Sequence, residues 1–152
     1  MRKVDKIVIH CSATREGQAH TAADIDRWHK AQGWNGIGYH HVVLLDGTVQ
    51  KGRDESVAGS HVKGFNANSI GVVYIGGLAA NGVTPKDTRT DAQKTALAAL
   101  IKALKAKYPG AKVMGHRDLS PDKDKDGVVE PHEWLKACPS FDVSSWLKEV
   151  GI

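Results

Sequence analysis

Lys3-Val4-Asp5-Lys6-Ile7-Val8-Ile9-His10 is the stretch on which the fold turns. Its β-branched run ends in polar and small residues and reads as a buried strand. Working outward, Thr21-Ala22-Ala23-Asp24 offers an N-cap and an acidic first turn. Ile25, Trp28, His29 and Gln32 follow at helical spacing, and Gly33 closes that helix. Tyr39 to Leu45 is strand-like, and Asp46-Gly47 predicts a two-residue hairpin with Thr48-Val49-Gln50 returning. Ser69 to Ile75 is a second buried strand, stopped by Gly76-Gly77. Thr90-Asp91-Ala92-Gln93 matches a capping box, behind which Leu97, Leu100, Ile101, Leu104 and Tyr108 share one helical face. Pro109-Gly110 ends it, and Ala111 to Met114 forms a short strand that delivers His116. Glu130 to Cys138 reads as a short helix with Pro131 in its first turn, and Val143 to Val150 as a last amphipathic helix. Strands alternate with helices around one hairpin. The expectation is a single α/β domain over residues 1–152, with a mixed central β-sheet flanked by helices.

The chain has 152 residues, enough for one domain with a real core. Hydrophobic residues at 41% and charged residues at 25% are ordinary for a soluble globular protein. The net charge of +4 favours approach to anionic polymers without choosing among them. No Lys/Arg block is dense enough to read as a nucleic-acid motif, so no nucleic-acid partner is expected. No stretch approaches ~20 apolar residues, so no membrane insertion is expected, and the charged N-terminus lacks a signal-peptide core. The expected product is a monomer made in the cytoplasm. Two cysteines, Cys11 and Cys138, are too few for a disulfide scaffold. Cys11 suits a buried position beside a strand end. A Cys11–Cys138 bridge remains an alternative, and it would consume a metal ligand.

His10 and His116 both follow strand-like segments, and ligands tend to sit at strand ends in open α/β sheets. Either one alone reads as a hydrogen-bonded strand-end histidine. With Cys138 they form the two-histidine, one-thiolate set that a catalytic zinc takes, leaving a fourth position for water. Pro139 stops the helix at Cys138 and puts the thiolate at its terminus. Lys136, two residues earlier, is a solvated lysine or a cation able to stabilise an oxyanion. Tyr39, in Gly36-Ile37-Gly38-Tyr39-His40-His41, is a core aromatic or a phenol donor.

The chain resembles the type-2 N-acetylmuramoyl-L-alanine amidases, the family that also contains the peptidoglycan recognition proteins, and in particular the short phage amidases called phage lysozymes. The resemblance is carried by Ile9-His10-Cys11-Ser12-Ala13-Thr14, Gly38-Tyr39-His40, Asp46-Gly47-Thr48-Val49, Gly52-Arg53-Asp54-Glu55, Gly59-Ser60-His61, Asn68-Ser69-Ile70-Gly71-Val72, Gly115-His116-Arg117 and Lys136-Ala137-Cys138-Pro139-Ser140-Phe141-Asp142. They span nearly the whole chain in order. The resemblance implies that His10, His116 and Cys138 hold one Zn²⁺, with Tyr39 and Lys136 as catalytic partners. It implies hydrolysis of the amide between N-acetylmuramic acid and L-alanine in peptidoglycan, by a phage or prophage endolysin. Such an enzyme would reach the wall from the host cytoplasm through a membrane-permeabilising partner. It places His61 against the muramoyl-peptide substrate and Trp34 beside the cleft, where plain core packing competes for Trp34. A recognition module that binds wall fragments without catalysis is the alternative, and the complete ligand set disfavours it.

One insertion departs from the shortest relatives. Residues 122–133 follow the calcium-loop pattern, with Asp122, Asp124 and Asp126 at positions one, three and five, Gly127 at six, the Val128 carbonyl at seven and Glu133 at twelve. A Ca²⁺ there would be structural, fixing the helix that carries Lys136 and Cys138. The competing reading is a surface loop that binds nothing.

Overall fold

The computed structural model describes residues 2–121, 125, 129 and 137–152. In chain order the elements are β1 (Lys6–Cys11), β2 (Thr14–Arg15), α1 (Ala22–Ala31), β3 (His41–Val43), β4 (Val49–Lys51), β5 (Ser69–Tyr74), β6 (Gly77–Leu78), α2 (Asp91–Lys107), β7 (Lys112–Gly115) and α3 (Val143–Val150). Short 3₁₀ turns cover Asn66–Asn68 and His116–Leu119. The acidic-loop residues Asp122, Asp124, Asp126, Val128 and Glu133, and also Lys136, lie outside the described residues.

β1 and β5 show why the sheet is mixed and covered on both sides. Ile7, Val8 and Ile9 are fully buried, and all six residues of β5 are buried. Strands with no solvent face belong in the middle of a parallel sheet. The observed order is β4-β3-β5-β1-β7. β1 pairs in parallel with β5 and β7, β3 pairs in parallel with β5, and only the edge strand β4 is antiparallel.

The two-residue period of the strands sorts their side chains between two cores. Ile7, Ile9 and Cys11 of β1, with Ile70, Val72 and Tyr74 of β5, face α2 and α3. There they meet Leu97, Ile101 and Leu104 of α2 and Val143 and Trp146 of α3. Val73 of β5 and Ile75 just beyond it point to the other face, against Ile25 of α1, Ile37 and Val42. His10 follows Ile9, so it leaves the larger core and emerges on the α1 face.

Both long helices start as their sequences predict. Thr21 caps α1 in a capping box with Asp24, and Thr90 caps α2 in one with Gln93. Gln93 is fully buried, and its amide donates to the Val43 and Ile75 carbonyls at the sheet's end. α3 begins under an Asp142 cap and stops at left-handed Gly151.

Two local expectations change, and one small sheet is added. The hairpin is not a two-residue turn: Leu44 N–H donates to the Thr48 carbonyl, and Gly47 N–H donates back to Leu44. Only Gly47 is left-handed (φ +88°), and the Asp46 carboxylate accepts from Thr48 N–H, so the turn takes three residues. It is anchored from outside, because Thr90 Oγ1 donates to the Leu45 carbonyl. Trp28 stays at the surface, edge-on to His20, while Ile25 and His29 form the buried side of α1. β2 and β6 form a separate two-stranded parallel sheet, too short to leave a periodic trace in the sequence.

Candidate metal centre

His10 ends up at the C-terminal end of β1, beside the end of β7, where Ile9 is paired with Gly115. The chain leaves β7 straight into His116, so two imidazoles come from adjacent parallel strands, with ring centroids 4.7 Å apart. Gly115 lets Cys138 reach them: a Cβ on it would lie 2.8 Å from Pro139 Cδ and 3.0 Å from Val143. Residues 130–136 of the expected Glu130–Cys138 helix lie outside the described residues, and residues 137–142, which carry Cys138, are turns and bends held by several hydrogen bonds. Arg117 N–H donates to the Cys138 carbonyl, Tyr74 Oη to the Pro139 carbonyl (2.6 Å) and Ser140 Oγ to the Gly77 carbonyl (3.0 Å).

One donor atom each from His10, His116 and Cys138 lies within 4.8 Å of the others. Cys138 Sγ is 3.9 Å from His10 Nδ1. Zinc with Zn–N near 2.0–2.1 Å and Zn–S near 2.3 Å sets tetrahedral donors about 3.5 Å apart. The donor set and its spacing therefore fit a three-ligand zinc site. Cys11 N–H donates to Cys138 Sγ at 3.1 Å, a bond that favours the thiolate a metal needs. Cys11 is itself packed beside Cys138. Hydrogen bonding to the Cys138 sulfur outweighs burial and brings the Cys11 thiol down to about 7. No disulfide joins Cys11 and Cys138.

Tyr39 stands over His10 with ring centroids 5.0 Å apart. Burial, and then the neighbouring Cys138 and Cys11 sulfurs, push its phenol well above the ordinary value, so it remains a proton-bearing donor at neutral pH. Its hydroxyl has no hydrogen-bond partner among the described residues. Gly38 sets its height, because a Cβ there would sit 2.2 Å from the Ser60 carbonyl. The Gly38 N–H donates to Nδ1 of His29, which ties the Tyr39 segment to α1.

Trp34 stacks on His29 at 4.4 Å and is 40% exposed at the rim. With His61, Val62, Lys63 and Asn66 it lines a hollow of about 320 Å³. A smaller hollow of about 100 Å³ continues past Val62 and Lys63 to Phe65 and His116. The two hollows share Val62 and Lys63, and His116 of the triad lines the second. Two hollows of about 540 and 570 Å³ lie on the α2–α3 and β7–α3 faces, and neither touches a triad residue.

Two histidines make contacts at the site that the linear sequence does not show. His61 reaches behind His10: His61 Nδ1 lies 2.9 Å from His10 Nε2, and its other nitrogen lies 3.1 Å from Ser69 Oγ. Both ring nitrogens of His61 are thus engaged inside the protein, while the residue also lines the hollow beside Trp34. Burial first, then the positive side chains around it, hold His61 down at about 3. His40 is fully buried, accepts from Gly71 N–H, and is held at about 4, mainly by burial. The only sequence signal for these roles is the unusual number of histidines, eight in 152 residues.

Comparison with known proteins agrees with this geometry. Residues 1–133 match the family model described as N-acetylmuramoyl-L-alanine amidase. The chain is 42% identical over 145 residues to the endolysin of Klebsiella phage KP32, covering 95% of this chain and 86% of that one. It is 43% identical over 142 residues to the endolysin of Escherichia phage T7, covering 93% and 84%. Among solved structures, the N-acetylmuramoyl-L-alanine amidase LysC from Clostridium intestinale superposes with a TM-score of 0.74 at 30% identity, covering 99% of this chain and 87% of that one. Among the described residues, no helix is long and apolar enough to cross a membrane. The sheet order, the hollows and the matched residues lead to one conclusion: the chain belongs to the type-2 N-acetylmuramoyl-L-alanine amidase family.

Proposed function

We propose that this chain is a zinc-dependent endolysin that hydrolyses the amide between N-acetylmuramic acid and L-alanine in bacterial peptidoglycan. The observation that carries the reading is the convergence of His10, His116 and Cys138 from three distant segments. Zinc held there supplies an activated water and polarises the scissile carbonyl. Two adjoining hollows lie between Trp34 and His116, and they are assigned to the wall strand. Tyr39, whose ring lies 5.0 Å from that of His10, is assigned the donor to the oxyanion that develops as the amide is attacked. Lys136 is assigned the second donor on the strength of the resemblance. The recognition-module alternative has no use for three converging donors.

The enzyme would act on the wall after a membrane-permeabilising partner has opened the inner membrane, with residues 1–152 as one catalytic domain. The calcium reading of residues 122–133 rests on the residue pattern alone. Calorimetry of chelator-stripped protein tests it, and no heat on adding calcium removes it.

The central test is lysis of purified peptidoglycan with and without a zinc chelator, beside Cys138→Ala, with bound zinc measured in each preparation. Lysis should stop in both treated samples, and zinc should be absent from the variant. Lysis that survives both treatments defeats the metal assignment.

A further inference from the structure

We propose that His61 is a positioning residue for the metal ligand His10, acting through a hydrogen-bonded line that runs from His10 through His61 to Ser69. This rests on the zinc reading of the site and adds what holds its most buried ligand.

His10 turns Nδ1 toward Cys138 Sγ and Nε2 toward His61. A lone pair on Nδ1 for the metal leaves the proton on Nε2. Nε2 lies 2.9 Å from His61 Nδ1, which accepts that proton when it is itself unprotonated. Neutral His61 must carry its own proton on Nε2, and Ser69 Oγ lies 3.1 Å away to accept it. Each tautomer in the line fixes the next, and a hydroxyl on β5 closes it. A metal-bound histidine commonly donates its second N–H to such a partner, and losing the partner typically costs 10–100-fold in metal affinity or activity.

The surroundings of His61 are built for one ring orientation. A Cβ on Gly71 would lie 2.7 Å from His61 Cδ2 and Cγ, and one on Gly59 would lie 2.6 Å from Cδ2. The ring therefore occupies the space of two missing side chains. Its backbone is equally fixed, because His61 and Val62 N–H groups both donate to Asn66 Oδ1 at 2.9 Å. A residue whose main task was to grip substrate would offer a nitrogen to the hollow, and His61 offers neither.

The test uses the whole protein and reads zinc affinity by competition with a chromogenic chelator, alongside kcat and KM on peptidoglycan fragments. His61→Gln moves the amide to the Nε2 position and abandons His10, so zinc affinity should fall about 10–100-fold. His61→Asn keeps an acceptor near the Nδ1 position and should recover most of that loss, within about threefold of the parent. Long-range ¹H–¹⁵N spectra of the unaltered, zinc-loaded protein should show His10 and His61 each protonated on Nε2 alone. Ser69→Ala provides a milder variant should the His61 variants fail to fold, with a several-fold weakening expected. Unchanged zinc affinity in His61→Gln with a raised KM, or a proton found on His61 Nδ1, overturns the inference while leaving the zinc reading intact. Parent protein that takes up no zinc overturns both.

Discussion

The site has a half carried by strands and a half carried by loops, and they are held in different ways. His10 and His116 sit at the ends of β1 and β7, and the parallel register that aligns Ile9 with Gly115 also sets the two imidazoles side by side. Their positions follow from ladder hydrogen bonds and from burial of Ile7, Ile9 and Val113 in the larger core. Cys138, Tyr39 and His61 come from irregular segments, each located by a few specific bonds or by a glycine that allows close approach. Strand-borne ligands inherit the sheet's precision. Loop-borne groups have only as much precision as their individual ties, so single substitutions should act on them selectively.

The largest expected effect comes from removing a loop-borne ligand. Cys138→Ala takes away one of three protein donors while leaving the sheet intact. On the zinc reading, the several kcal/mol that the metal would supply to the reaction correspond to a rate loss on the order of 10³ or more. Circular dichroism should remain native while bound zinc disappears. Collapse of the fold instead would show that the cysteine segment is part of the sheet's stability, and the distinction between the halves would fail.

Tyr39→Phe comes next. On the proposed role it removes a single oxyanion donor and no ligand, so kcat should fall about 10²–10³-fold at unchanged zinc content. A fall in zinc content would mean the phenol supports the metal, not the reaction.

Tyr74→Phe sharpens the comparison without touching the chemistry. Tyr74 is a fully buried β5 side chain whose hydroxyl donates to the Pro139 carbonyl, next to Cys138. Its loss leaves that carbonyl without its donor, at a cost of about 1–3 kcal/mol in denaturant unfolding. Zinc affinity should weaken through Cys138 alone.

The same division decides what could be read from the chain. β1, β5, the capped helices α1 and α2, and the strand that delivers His116 are legible because burial imposes period two on strands, and caps use few residue types. The convergence of His10, His116 and Cys138 is legible from residue chemistry, with two of the three at strand ends, together with the family resemblance. The hairpin length was misjudged because Asp46-Gly47 suits both a two-residue turn and a longer turn ending in a left-handed glycine. The line from His10 to Ser69 was hidden for a different reason. It joins residues 51 and then 8 positions apart, through a ring whose direction depends on absent side chains at Gly59 and Gly71. No local pattern encodes that.

The smallest expected effect concerns how the loop-borne half is fastened to the helical layer, and it is read by pH. Glu55 lies in the loop that leads to His61. Its carboxylate accepts from His41 (2.7 Å), Lys107 (2.8 Å) and Tyr108 (2.7 Å), while its backbone carbonyl accepts from Arg2. Burial works to raise its carboxyl, but the bonds from Lys107, Tyr108 and His41 overcome this and hold it at about 2. The folded state therefore binds this proton less readily than the unfolded chain does. Stability from the pairing is complete above the ordinary carboxylate value near 4.5 and is lost as pH falls from there toward 2. Because Lys107 is exposed and solvent screens the cluster, the contribution is on the order of 1 kcal/mol. Glu55→Gln should flatten the fall in unfolding free energy between pH 5 and about 3 by that amount, leaving zinc affinity at neutral pH nearly unchanged. If the variant instead loses zinc at neutral pH, the Glu55 tie reaches as far as His61, and the loop-borne half is one cooperative unit, not a set of separate fastenings.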